Sequence, residues 1–314
     1  MDGLVDPDHI LVVTIQSQIE MLHDQVPAIP MENYLVEPMP KGTAAVVGFA
    51  ATYLRKQDAD AVMAILTADH VMDNIGYFRE ILLMGAEIAK ENTLVTIGIK
   101  PEFAATGFGY IETAETRENG MGLRVNQFVE KPDQDTAQKY FKSGNYFWNS
   151  GMFIWTVDAI LEEIERQMPD LFSILNEVDE RITEDGRVND ILDVWEQIEP
   201  ETVDYGIMEG ARDVTLIPAL ELGWKDLGSW DSLFTILKPD EWGNIGLAPK
   251  IININSRDCF VQGTNEEKII AVIGVDDLIV VDHENSLLIC KKGESQKVKQ
   301  IVQKIKDDNL KQYL

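Results

Sequence analysis

Cysteine is nearly absent. The 314 residues carry only Cys259 and Cys290, far apart in strand-like contexts, which argues against a disulfide framework or a zinc cluster and leaves buried, reduced thiols as the expectation. The four histidines (His9, His23, His70 and His283) are scattered without metal-ligand spacing. No apolar run reaches the roughly 20 residues that a membrane-spanning helix needs. The start, Met1 to His9, is acidic and polar, unlike a secretory or transit peptide, so the expected location is the cytoplasm. Positive charge is also scarce: 27 basic residues stand against 54 acidic ones, a net charge of −27. Nucleic acid repels such a surface, because affinity for it comes mainly from basic contacts with phosphate. A phosphorylated small molecule stays open as a ligand, since a divalent cation can bridge carboxylates to phosphate oxygens.

What is present is globular. Hydrophobic residues at 45% and charged residues at 26% can build a core beneath a solvated surface. Strand-like and helix-like segments alternate. Ile10–Thr14 is a short β-branched run, Ile15–Gln25 has helical spacing, and Thr43–Arg55 begins at a capping-type Thr. Ala61–Leu66 is a continuous apolar run, as in a strand covered on both faces. An amphipathic helix over Asn74–Asn92 and a strand over Thr93–Ile99 follow. This order predicts an α/β fold with a doubly wound, mainly parallel sheet. Further strands are expected at 107–111, 123–130 and 146–155, and helices at 157–168, 191–198 and 229–237. From Ile251 onward, short strand-like runs predict a small C-terminal β domain closed by a helix whose apolar face is Val298, Ile301, Val302 and Ile305. The boundary is placed near Pro239, giving domains 1–238 and 239–314.

Several segments carry chemistry. Leu66-Thr67-Ala68-Asp69-His70 follows an apolar strand, where ligands gather in open α/β sheets; Asp69 either holds a cation or caps the next helix. Gly223-Trp224-Lys225-Asp226-Leu227-Gly228-Ser229-Trp230 sets Asp226 between glycines that let a ligand approach, as a second metal carboxylate or an N-cap. In Phe128-Val129-Glu130-Lys131-Pro132, Glu130 suits sugar hydroxyls and Lys131 a phosphate, or the two form an exposed ion pair. In Trp148-Asn149-Ser150-Gly151-Met152-Phe153, Asn149 suits hydroxyl recognition, and Gly151 either admits a ligand or marks a β-bulge. Glu37-Pro38 and Lys41-Gly42-Thr43-Ala44-Ala45 form a loop running into a helix N-terminus, either a place for polar or anionic ligands or a plain turn and cap. Gly107 and Gly109 mark a glycine-spaced turn.

In order, EP…KGTAA, LTADH, TGFGYIE, FVEKP, WNSGMF, VDYGIME and GWKDLGSW resemble the sugar-1-phosphate nucleotidyltransferase superfamily, specifically its mannose-1-phosphate guanylyltransferase branch. The closing DLIVVDHENSLLIC is similar to the short β-helical end of that branch. The resemblance implies transfer from GTP to mannose 1-phosphate, giving GDP-mannose and pyrophosphate. It implies Mg²⁺ between Asp69 and Asp226; sugar contacts from Gly109, Glu130, Asn149 and Gly151; Lys131 at the sugar phosphate; and Glu37 and Thr43 near guanine and ribose. A homo-oligomer, with the closing helix or the β domain as contact surface, is expected. This chain departs from the pattern at Lys41-Gly42, Gly210 and Lys225. Nothing before Ile10 matches the family's opening strand and glycine-rich loop, so the further expectation is weak or absent turnover by this chain alone. The alternatives are a non-catalytic sugar-nucleotide-binding paralogue and a transferase for another sugar 1-phosphate.

Overall fold

The computed structural model describes residues 3–117 and 120–313. Along the chain lie β1 (Val12–Thr14), α1 (Ile19–Gln25), β2 (Tyr34–Val36), α2 (Thr43–Gln57), β3 (Val62–Ile65), β4 (His70–Val71), α3 (Ile75–Ala89) and β5 (Leu94–Ile99). Then come β6 (Tyr110–Thr116), β7 (Leu123–Val129), α4 (Gln134–Ser143), β8 (Tyr146–Thr156), α5 (Val157–Gln167), α6 (Pro169–Arg181), α7 (Leu192–Trp195), α8 (Val203–Gly206) and β9 (Val214–Ala219). The chain ends with β10 (Lys225–Asp226), β11 (Ile245–Leu247), β12 (Ile251–Ile254), β13 (Phe260–Gly263), β14 (Ile270–Ile273), β15 (Leu278–His283), β16 (Ser286–Lys291) and α9 (Val298–Asp307). No helix of the described residues is long and apolar enough to cross a membrane.

The chain divides into two compact units, one of residues 1–67 and 73–222, the other of 68–72 and 223–314. In the first, a six-stranded sheet runs in the order β3-β8-β5-β9-β7-β6. The side chains of β8 alternate across it. Phe153 and Trp155, stacked at 5.3 Å, join the core beneath α2, α5 and α6, while Ile154 meets α3 at Gly85. That core also holds Phe49 edge-on to Trp195 and buries Ile160, Ile164, Leu175 and Val178 almost completely. Helices therefore lie on both faces, as the α/β reading requires.

Strand direction departs from the parallel expectation. Only β5 with β9 is parallel within this sheet, because β8 runs back between β3 and β5 and is antiparallel to both. The run 61–66, expected to be covered on both faces, forms the edge strand β3, and Ala64 is exposed. β1 and β2 pair in parallel as a separate two-stranded sheet. The outer edge of β3 and one edge of β1 thus pair with no strand among the described residues. The helix expected over 15–25 begins as a 3-10 turn at Gln16–Gln18, and that expected over 229–237 shortens to a 3-10 turn at Asp231–Thr235.

The second unit begins at Gly223 rather than at Pro239 and takes in Ala68–Met72. The reason is packing: Trp230, Leu233, Phe234 and Leu237 cover Phe260, Ile279 and Val281 of the β domain, and β10 pairs with β4. The β domain is a short parallel coil. β11, β13 and β15 stack in one sheet, with β16 antiparallel at its end, and β12 and β14 stack in a facing sheet. Cys259, Val261, Val272 and Val280 fill the space between them. Both cysteines are free thiols, Cys259 buried and Cys290 half-buried.

Candidate active site

In the first unit, Gly109, Phe128, Glu130, Asn149, Asp204 and Glu209 line one small cleft at the ends of β6, β7 and β8. A bulge builds it. Opposite β5, the register of β8 shifts between the Thr96 and Gly98 positions, where Ser150–Met152 stand against Ile97 alone, two residues in excess. Gly151 sits there at φ +67°, a left-handed backbone, which is the β-bulge reading of this glycine. Ser150 Oγ donates to the Ile97 carbonyl at 2.6 Å, and Gly151 N–H donates to Asn149 Oδ1 at 3.0 Å. Asn149 is thereby held with its N–H on the Gly109 carbonyl, 2.8 Å, and its Nδ2 on Asp204 Oδ1, 2.6 Å.

Glu130 enters from the end of β7. Its Oε1 pairs with Lys131 Nζ at 2.8 Å, and a side chain at Gly109 would collide with its Oε2. Lys131 adopts φ +41°, which turns its ammonium back onto its neighbour. That hydrogen bond raises the Lys131 pKa. Burial raises the Asp204 carboxyl, and the Asn149 hydrogen bond only partly opposes it; nearby Glu130 adds to the rise. Glu209 is raised for similar reasons, burial first and then Glu130 and Asp204. Three carboxylates around one amide make an acceptor-rich cleft, suited to a ligand with several adjacent hydroxyl donors.

One stability prediction follows. A half-buried carboxyl with raised pKa opposes folding above that pKa and not below it, where it is neutral. Asp204→Asn should therefore raise stability at pH 7.5 by roughly 0.5–2 kcal/mol, the usual gain from relieving one functional-site conflict. The gain should vanish as the pH falls through the raised pKa and the wild-type carboxyl becomes neutral. Thermal melts at both pH values check this; a less stable variant at pH 7.5 would refute it.

The Glu37–Thr43 segment is clamped from the other side. Trp195 Nε1 donates to the Met39 carbonyl at 2.9 Å, and Lys41 Nζ donates to the carbonyls of Glu196 and Ile198, both at 2.7 Å. Gly42, at φ +86°, leaves no room for a Cβ against the Glu201 carbonyl, so the unusual Lys41-Gly42 pair is one interlocking turn. The sequence reads Thr43 as the side-chain cap of α2. The N-cap is instead Gly42, and Thr43 Oγ1 accepts the Val203 N–H at 2.9 Å. Val203 precedes Asp204 on α8, which links this segment to the acceptor cleft. Glu37 is buried, with Oε2 unpartnered; burial raises its carboxyl while the Lys41 backbone N–H lowers it. Sequence reasoning missed Asp204 and Glu209 as site residues, although both lie within the VDYGIME motif.

In the second unit, the β4–β10 ladder brings the two metal candidates together. Asp226 lies opposite His70, and the Asp69 carbonyl accepts the Leu227 N–H at 2.9 Å. Asp226 Oδ1 accepts the Gly228 N–H at 2.6 Å, and Trp224 Nε1 donates to His70 Nδ1 at 3.0 Å. Burial lowers the His70 pKa, while Asp226 and Asp69 together pull it up, so both carboxylates act on the same ring. The indole bond fixes the imidazole in place, consistent with a structural His70. Among the described residues no group of three His, Cys, Asp or Glu could hold a metal by itself. Two carboxylates fit a hard cation that completes its shell with water and substrate phosphates.

Comparison with known proteins agrees with this architecture. The nucleotidyl transferase family profile matches residues 4–241. The chain belongs to the nucleotidyl transferase family. A MannoseP isomerase/GMP-like beta-helix domain profile matches residues 249–305, so the two profiles divide close to Pro239. Mannose-1-phosphate guanylyltransferase of Klebsiella pneumoniae is 32% identical over 90% of this chain and 59% of its own length. The Escherichia coli K12 protein of the same name is 34% identical over 88% and 58%. Alginate biosynthesis protein AlgA of Pseudomonas syringae pv. tomato is 31% identical over 96% and 62%. This nucleotidyl transferase chain therefore spans about 60% of the length of the curated relatives it matches. A solved structure titled mannose-1-phosphate geranyltransferase, from Thermus thermophilus, superposes with a TM-score of 0.82 at 25% identity, covering 96% of this chain and 86% of that one.

Proposed function

We propose that this chain transfers a guanylyl group from GTP to mannose 1-phosphate. The observation that carries the reading is the acceptor cleft of Glu130, Asn149 and Asp204 around Gly109, in a nucleotidyl transferase whose relatives are named for this reaction. In the reaction a phosphate oxygen of mannose 1-phosphate forms a bond to the α-phosphorus of GTP. The α–β bridging bond breaks, and pyrophosphate leaves with its electron pair. No covalent enzyme intermediate is needed, so positioning and charge neutralisation carry the catalysis.

Each residue has a part. Glu130, Asn149 and Asp204 accept from the sugar hydroxyls, and Gly109 leaves the space that the Glu130 carboxylate occupies. Lys131, 63% exposed at its side chain, is free to swing from Glu130 to the sugar phosphate. Glu37 holds a buried, unpartnered acceptor, which suits the paired N–H donors on the edge of guanine; Thr43 lies beside the ribose. Asp69 and Asp226 would hold Mg²⁺, which supplies neutralisation of phosphate oxygens when bound.

Pyrophosphate release, measured over a panel of nucleoside triphosphates and sugar 1-phosphates, tests the assignment. GTP with mannose 1-phosphate should exceed every other pair by at least about tenfold in kcat/KM, a difference of roughly 1.4 kcal/mol. Preference for UTP with glucose 1-phosphate would overturn it. GDP-mannose binding by calorimetry without turnover would instead establish a binding subunit.

A further inference from the structure

The closing helix α9 is held at its ends and left uncovered along its length. Just ahead of it, the Asp231 carboxylate accepts the Gly293 N–H at 2.6 Å and the Ser295 N–H at 3.2 Å. Beyond it, Asn285 Nδ2 donates to the Gln312 carbonyl at 3.3 Å. Between these ties no residue of α9 is buried, and its apolar Ile301 and Val302 are 53% and 36% exposed. The helix stands off its own unit: a groove of about 530 Å³ runs between Val298 and Val302 on one wall and Leu227, Trp230 and Leu233 on the other.

Charge is ordered around this helix. With about 3.6 residues per turn, Val298, Ile301, Val302 and Ile305 fall on one arc. Lys299 and Lys306 border that arc on one side, and Lys297 and Lys304 border it on the other. Gln300, Gln303 and Asp307 take the far side, where Gln303 Nε2 donates to Asp307 at 2.8 Å. Lys297 pairs with Glu294, whereas Lys299, Lys304 and Lys306 enter no ion pair among the described residues. In a chain with 54 acids and 27 bases, residues 295–306 thus hold four lysines and no acid.

We propose that α9 docks the chain on an anionic lipid bilayer. An apolar arc between two rows of lysines is the pattern of a helix that lies in the plane of a membrane surface. The apolar side chains sink below the headgroups, while the lysine stems follow the apolar surface and lift their ammoniums to lipid phosphates. Rows on both sides of the arc match a flat surface that is negative throughout. Exposed Tyr313 follows the helix, a residue type enriched at membrane interfaces. The acids of the rest of the chain oppose this contact only weakly, because salt screens exposed charges beyond about 8 Å. A helix of ten residues lies on the bilayer and does not span it, so the attachment is reversible.

Co-sedimentation of the intact chain with vesicles is the test. Partitioning onto vesicles of equal parts phosphatidylglycerol and phosphatidylcholine should exceed that onto pure phosphatidylcholine by at least about tenfold, since each lysine near an anionic surface contributes about fivefold. About 1 M NaCl, where the screening length falls to about 3 Å, should release the chain. Ile301→Glu should lower partitioning at least about tenfold and leave the circular dichroism spectrum unchanged, because the residue is exposed. Lys299→Gln with Lys306→Gln should lower it by a similar factor. Gln300→Glu is the control: it adds the same charge as Ile301→Glu on the far side of the helix and should stay within about threefold of wild type. Equal partitioning onto both kinds of vesicle, none onto either, retention by Ile301→Glu or equal loss in Gln300→Glu would each overturn the proposal.

Discussion

Asp226→Asn is expected to lower kcat for pyrophosphate release by about 10²–10³, with little change in melting temperature. The magnitude follows from charge. A carboxylate that places a cation on transferring phosphoryl oxygens contributes several kcal/mol of transition-state stabilisation, and each 1.36 kcal/mol is tenfold in rate. The amide keeps an oxygen for the Gly228 N–H that Asp226 now accepts, so the turn before Asp231–Thr235 survives. Asp69→Asn should behave alike, since its structural bond to Leu227 is made by the backbone carbonyl and not by the side chain. GDP-mannose affinity in each variant should lose its dependence on added Mg²⁺, readable by calorimetry without turnover. A kcat within threefold of wild type for both variants would sink the assignment of these carboxylates.

The sequence made the element order and the acceptor side chains legible because these are local patterns. Glu130 and Asn149 stand at strand ends in recognisable runs, and Asn74 caps α3 where the spacing predicts the helix to begin. What escaped is set by partners distant in sequence. Thr43 looks like a cap, but its hydroxyl is claimed by Val203, 160 residues away. Asp204 gains its place through Asn149, 55 residues earlier. Pro169 marks the end of α5, and it also opens α6 at the first helical position, where its missing N–H costs nothing. Strand direction is hidden for a related reason. An apolar run such as 61–66 has the same composition whether its neighbour runs with it or against it, and β8, more than 80 residues later, decides. The sequence pattern suggests a boundary near Pro239, whereas packing carries Trp230 and Phe234 into the β domain.

Gly109→Ala should raise the KM for mannose 1-phosphate by about 10–150-fold and leave the KM for GTP nearly unchanged. The methyl group cannot coexist with the present position of the Glu130 carboxylate, because it would lie on Oε2. Glu130 is the end of a flexible side chain, tied mainly to an exposed Lys131 ammonium, so the strain is relieved by swinging the carboxylate out of the cleft. The fold is then spared, while the sugar loses a charged acceptor, a hydrogen bond worth roughly 1.5–3 kcal/mol. Glu130→Ala should match the effect, and the double variant should add little to either, because both remove the same contact. Glu130→Gln should fall between wild type and alanine, since it keeps the shape and one acceptor oxygen without the charge. An unchanged sugar KM in Gly109→Ala would show that Glu130 does not touch the sugar. Equal loss for GTP and sugar would show a general collapse of the cleft instead of the removal of one contact.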